Sequence, residues 1–134
     1  MDTIEIAKPV IEIVEKSAKK ELLQNVNEEG QVIVHCSFTA PTNESQLLRI
    51  WRTTFLCSNQ SAHRSRLAYI ENISIAPAWT MIEAGTTLNF TLVFSGLPKS
   101  CKSFDFKEEI TQPGGFFIKN IARNKSDVYR LVIS

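Results

Sequence analysis

Imidazole, thiol and carboxylate groups are the means by which this chain could do chemistry, and they are few and scattered. His35 and His63 are the only histidines, and Cys36, Cys57 and Cys101 the only cysteines. A thiolate–imidazole pair needs both side chains on one side of the backbone. His35 and Cys36 are adjacent in an alternating run, VIVHCSF, so they point to opposite faces and cannot pair from that strand. A metal site of His63, Cys57 and Cys101 lacks the paired ligand spacing of structural zinc sites. Asp105, Glu108 and Glu109 fall in one strand-like run, SFDFKEEI. There Asp105 and Glu109 share a face and suit either a cation or a solvated edge whose charge discourages strand addition; the edge is the reading adopted. Asp127 follows Asn124-Lys125-Ser126 and reads as a turn cap. The chain has no Gly-rich phosphate loop, no GxSxG and no HExxH. The expectation is a non-enzyme with no catalytic residue, no cofactor and no metal.

Two binding chemistries need weighing beside that. Arg49, Arg52, Arg64, Arg66, Arg123, Lys125 and Arg130 are interspersed with Trp51 and Tyr129, the mixture of cations and rings that a single-strand nucleic-acid platform uses. A pI of about 7.7 falls far below the basic footprint of such domains, and nucleic acid is set aside as a partner. Sugar stacking on Trp51 and Trp79 requires exposed indoles. Trp51 falls among core-type positions, so an oligosaccharide or other small ligand is kept as the alternative reading.

These groups must be positioned by a chain of 134 residues, 43% apolar and 22% charged, with a net charge of +1. That balance excludes the disordered class. No apolar run approaches the ~20 residues of a bilayer span, and MDTIEIAKP lacks the basic and apolar regions of a signal peptide. The expected setting is therefore cytoplasmic, with no membrane association and with reduced, structural thiols. Asn-x-Ser/Thr at Asn43, Asn59, Asn72, Asn89 and Asn124 then reads as polar strand and turn chemistry.

Charge and periodicity divide the chain. Residues 1–30 carry seven acids and four lysines, a balance of −3; residues 31–134 carry seven acids and eleven bases, a balance of +4. In the leader, Val10, Ile11, Val14, Ala18 and Leu22 recur at three- and four-residue intervals after Pro9, which predicts an amphipathic helix over about 9–25. From Gln31 the period becomes two. Val32, Val34, Cys36 and Phe38 share a face. LLRIWRTTFLC is apolar on both faces and predicts one central strand. Leu88, Phe90, Leu92 and Phe94 make the clearest alternation. About eight short strands are expected, separated by turn clusters at Ala40-Pro41-Thr42-Asn43, Ala84-Gly85-Thr86, Pro113-Gly114-Gly115 and Arg123-Asn124-Lys125-Ser126.

The segment TLNFTLVFSGLP, followed by SFDFKE, GGFFIKNI and RNKSDVY, resembles small bacterial immunoglobulin-like β-sandwich proteins of unassigned function. The resemblance covers about residues 86–134 and implies an immunoglobulin-like topology. It implies nothing about activity, and the Cys…Trp…Cys spacing of antibody domains is not met. The fold expected is mainly β: an antiparallel immunoglobulin-like sandwich over 31–134, preceded by a leader, 1–30, with one amphipathic helix. The function expected is a protein-binding or self-associating assembly module. It would act through its sheet edges and through the helix stripe of Val10, Ile11, Val14, Ala18 and Leu22.

Overall fold

The computed structural model describes residues 30–133. The expected helix, with Val10, Ile11, Val14, Ala18 and Leu22, lies outside the described residues. What is described is β structure without a helix. Its strands are β1 (Val32–Thr39), β2 (Gln46–Leu48), β3 (Thr54–Ser58), β4 (Arg64–Glu71), β5 (Thr80–Ile82), β6 (Thr87–Phe94), β7 (Ser103–Glu108), β8 (Phe117–Ala122) and β9 (Val128–Ile133). Seven of them form one sheet in the order β8-β7-β3-β4-β6-β1-β9, while β2 and β5 form a small second sheet. Every pairing in the large sheet is antiparallel except β1 with β9, which run parallel.

Alternation writes these strands. On β1, Val32, Val34 and Cys36 face the core, opposite Phe94, Leu92 and Phe90 of β6. On β7, Phe104 and Phe106 face the same interior, beside Leu56 of β3. No flat sheet could bring β7 against β6 or β9, because β3 and β4, and beyond them β6 and β1, stand between. Yet the rings of Phe94 and Phe106 meet edge to face at 6.1 Å, and those of Phe104 and Tyr129 at 5.0 Å. The sheet therefore curls over on itself and buries one face. Leu48 and Ile82 of the small sheet, with Ile50 and Ile73, close the same core.

Two expected elements differ in the structure. LLRIWRTTFLC is not one strand: β2 ends at Leu48, Ile50 makes an isolated bridge with Ile75, and β3 begins at Thr54. Between them the Trp51 N–H donates to a Glu108 carboxylate oxygen at 3.0 Å, and the Thr54 hydroxyl donates to the Trp51 carbonyl at 2.7 Å. Those bonds turn the chain from the small sheet into the large one. The polar run Ser58–Ser65, whose composition predicts a loop, is likewise not all loop, since Arg64 and Ser65 already belong to β4 and pair with β3. Leu88, Phe90, Leu92 and Phe94 do line one face; Leu88 is half-buried and the other three lie in the core.

Phe106→Ala is expected to lower stability by ~3–5 kcal/mol in denaturant melts, the cost of deleting a fully buried ring. A loss below ~1 kcal/mol would mean that the two layers close without it. The three thiols are free, and burial pushes that of Cys36 up to about 12. Because the thiolate is the reactive form, Cys36 should resist a thiol reagent at pH 8 in the folded protein. All three should react once the chain is unfolded in denaturant.

Candidate binding surface

On β7 the inward positions are Phe104, Phe106 and then Glu108, so a carboxylate continues an aromatic row. Its oxygens are surrounded by donors from two loops. One accepts the Trp51 N–H at 3.0 Å and the Thr54 hydroxyl at 3.4 Å; the other accepts the Phe116 N–H at 3.3 Å. Burial raises the Glu108 pKa above its ordinary value, while these bonds and the positive charge of Arg49 pull it back. A buried carboxylate in this setting ties segments together. It fixes the loop bearing Trp51 on one side and the approach to β8 on the other. That approach is close: a Cβ on Gly115 would lie 2.6 Å from the Glu108 carbonyl oxygen, so only glycine fits without displacement.

Beyond Gly115 the two ends of the sheet face each other. Among the described residues β8 pairs only with β7 and β9 only with β1, so within them each presents an unpaired edge of backbone N–H and C=O groups. Residues 123–127 join them, and a compact network holds that turn. The Arg123 guanidinium donates to both Asp127 oxygens at 2.6 and 2.9 Å and reaches the carbonyls of Pro98 and Cys101 at 2.8 and 3.1 Å. The Tyr129 hydroxyl donates to Asp127 at 2.9 Å and accepts the Asn124 N–H at 3.0 Å. Closed at this turn, the strands leave a seam of about 380 Å³ at their far ends, between Gly115, Phe116, Phe117 and Ile118 on one side and Val132 and Ile133 on the other. Phe117 is 50% exposed and Val132 76%. Lys107 and Lys119 place their ammonium groups 5.8 and 5.4 Å from the Phe117 ring centroid.

The third exposed large hydrophobic among the described residues is Trp79, at 42%. The Arg49 guanidinium lies 3.7 Å from its ring centroid and 4.8 Å from that of Trp51, and donates to the Pro77 carbonyl at 3.2 Å. Trp51 is half-buried. Trp79 is thus an accessible indole with one face taken by a guanidinium.

The other residues singled out by type have local duties. His35 and Cys36 do face opposite ways: Cys36 is in the core, and the His35 Nδ1 lies 2.8 Å from the Thr91 hydroxyl. The His63 Nε2 lies within 3.0–3.1 Å of the Ser65 hydroxyl and the Gly96 carbonyl, and the Cys101 thiol bonds the Ser103 carbonyl at 3.2 Å. Among the described residues no group of three or more His, Cys, Asp or Glu is placed to hold a metal ion. Asp105 accepts the Asn120 N–H at 2.9 Å, at the register shift between β7 and β8, and Glu109 pairs with Arg64. Asp127 is more than a turn cap, since it anchors Arg123 and Tyr129. Arg49, Arg64 and Arg123 are each engaged separately, and Tyr129 is buried. Among the described residues no helix is long and apolar enough to cross a membrane. Comparison with family models, with curated proteins and with solved structures found no match.

Glu108→Ala is expected to cost ~2–4 kcal/mol, because the Trp51 and Phe116 N–H groups lose a buried partner. The pH dependence has a definite sign. A carboxyl whose folded-state pKa is raised favours folding when protonated, so its contribution is full below the unfolded value and is lost as pH rises through the folded one. Glu108→Gln abolishes that dependence. The stability difference, wild type minus variant, should shrink as pH rises across this window in paired urea melts. A difference that widens would show a carboxylate stabilised in its charged form.

Proposed function

We propose that this chain is a non-enzymatic binding module, immunoglobulin-like in topology, that receives an extended segment of a partner protein at the seam between β8 and β9. The strand order supports the topology. With β1, β3, β6, β7 and β8 as strands B, C, E, F and G, the neighbours B–E and C–F–G are those of an immunoglobulin sandwich. Strand β9 then takes the place beside B that strand A would hold, and β4 bridges the two layers.

The observation that carries the functional reading is the seam itself. Two strand edges that are unpaired among the described residues converge there, and two of the three exposed large hydrophobic side chains of those residues flank it. Strand addition supplies main-chain hydrogen bonds from an open edge and specificity from pockets for alternate side chains. The phenyl ring of Phe117, bracketed by Lys107 and Lys119, selects an alternation of apolar and acidic residues in the incoming strand. Of the two surfaces expected to meet partners, the edges have this geometry behind them; the helix stripe lies outside the described residues.

The test is selection from a displayed library of randomised extended peptides against the whole protein. Enriched peptides should alternate apolar and acidic positions. Their affinity should fall at least about tenfold, about 1.4 kcal/mol, for Val132→Lys and Phe117→Ser, and should be unaffected by Trp79→Ala. Binding insensitive to both seam variants, or no enrichment, would overturn the reading. A second reading, an oligosaccharide or small-ligand site, rests on the exposed Trp79 indole. Glycan binding abolished by Trp79→Ala would favour it.

A further inference from the structure

The face of β4, β6, β1 and β9 turned away from the core carries an apolar row. The register sets Val128, Ile33, Val93 and Tyr69 side by side across β9, β1, β6 and β4. Ile33 and Val93 are 5% and 3% exposed, although neither belongs to the core cluster on the opposite face. Aliphatic side chains on the outer face of a sheet reach such burial only beneath a second layer. The next row, Arg130, His35, Thr91 and Glu71, is polar and lines a concavity of about 530 Å³, so the apolar row is bounded.

We propose that the layer over this row is the chain's own leader, residues 1–29, docked through Val10, Ile11, Val14, Ala18 and Leu22. Connectivity favours it. The leader joins the body at Gly30, two residues before β1 begins, and β1 carries Ile33. Gly30 has a φ of +74°, a conformation in which glycine lets a chain change direction at little cost. Length agrees as well: a helix over 9–25 would run about 25 Å, against about 19 Å for four neighbouring strands. Charge agrees too, for a leader at −3 meets a body at +4, with exposed Arg130 beside the row. A tether this short holds the leader at an effective concentration on the order of millimolar near its own body, which favours the same chain over a second copy. The stripe then serves to cover the apolar row, and partner binding is left to the seam.

Methyl NMR of the full chain tests this directly. Nuclear Overhauser contacts are expected between the methyl groups of Ile33 or Val93 and those of Val14 or Leu22, and they should persist when labelled protein is diluted with unlabelled. Leu22→Asp should shift the Ile33 and Val93 methyl signals and lower Tm by about 5–10 °C, with the mass by light scattering unchanged. Contacts seen only between differently labelled chains would assign the cover to a second copy and overturn the proposal. Absence of any contact in the wild-type chain, or Ile33 and Val93 signals indifferent to Leu22→Asp, would overturn it as well.

Discussion

Two phenylalanines on β7 set the shape of this molecule. Phe104 and Phe106 can leave water only if another layer covers them, and the chain supplies that layer from the far side of the same sheet. Phe94 of β6 and Tyr129 of β9 make the contacts. Everything else about the architecture follows from this closure. It forces the curl, and it places the small β2–β5 sheet where Leu48 and Ile82 can plug the remaining gap. It also brings the ends of the sheet within reach of each other without pairing them. Burial on this scale outweighs the strain of bending a sheet, since each ring removed from water contributes a few kcal/mol.

Glu108 shows how a charged group can serve such a core. It follows Phe104 and Phe106 in the inward series, where an unpaired carboxylate would be costly. The interior ends there in loop backbone, and the N–H groups of Trp51 and Phe116 need acceptors. A side chain that would be a defect elsewhere is thus a joint between the loop that switches sheets and the loop that leads into β8. Rigidity in that second loop would favour the strand addition proposed above, because an edge that is already ordered loses less freedom when a strand is added to it.

The strands were legible because alternation is a local signal. His35 and Cys36 could be assigned to opposite faces from parity alone. Glu108 is within reach of the same logic, since it shares parity with Phe104 and Phe106, but a carboxylate between Asp105 and Glu109 carries no signal of its own in an acidic run. The break within LLRIWRTTFLC was not legible. Its cause is a hydrogen bond from Trp51 to a residue far along the chain, and apolar residues on both faces read equally well as one central strand. The seam was hidden for a related reason: periodicity tells which face of a strand is buried and nothing about which strands pair. Trp79 falls outside the alternating logic, because its exposure depends on the loop that carries it and on Arg49.

The parallel pairing of β1 with β9 has a consequence for how the chain comes together. Ile33 is matched with Val128, so the earliest described strand waits for the latest before both its edges are satisfied. During synthesis β1 and β6 can zip together while the other side of β1 stays open, and Phe104 lacks the ring that Tyr129 will provide. Contacts this distant in sequence form slowly, since loop closure precedes any gain from pairing. For that interval the edge of β1, with Val32 and Val34, stands open to any neighbouring chain. The arrival of β9 covers the edge of β1 and brings Tyr129 onto Phe104, so one strand both seals that edge and completes the core.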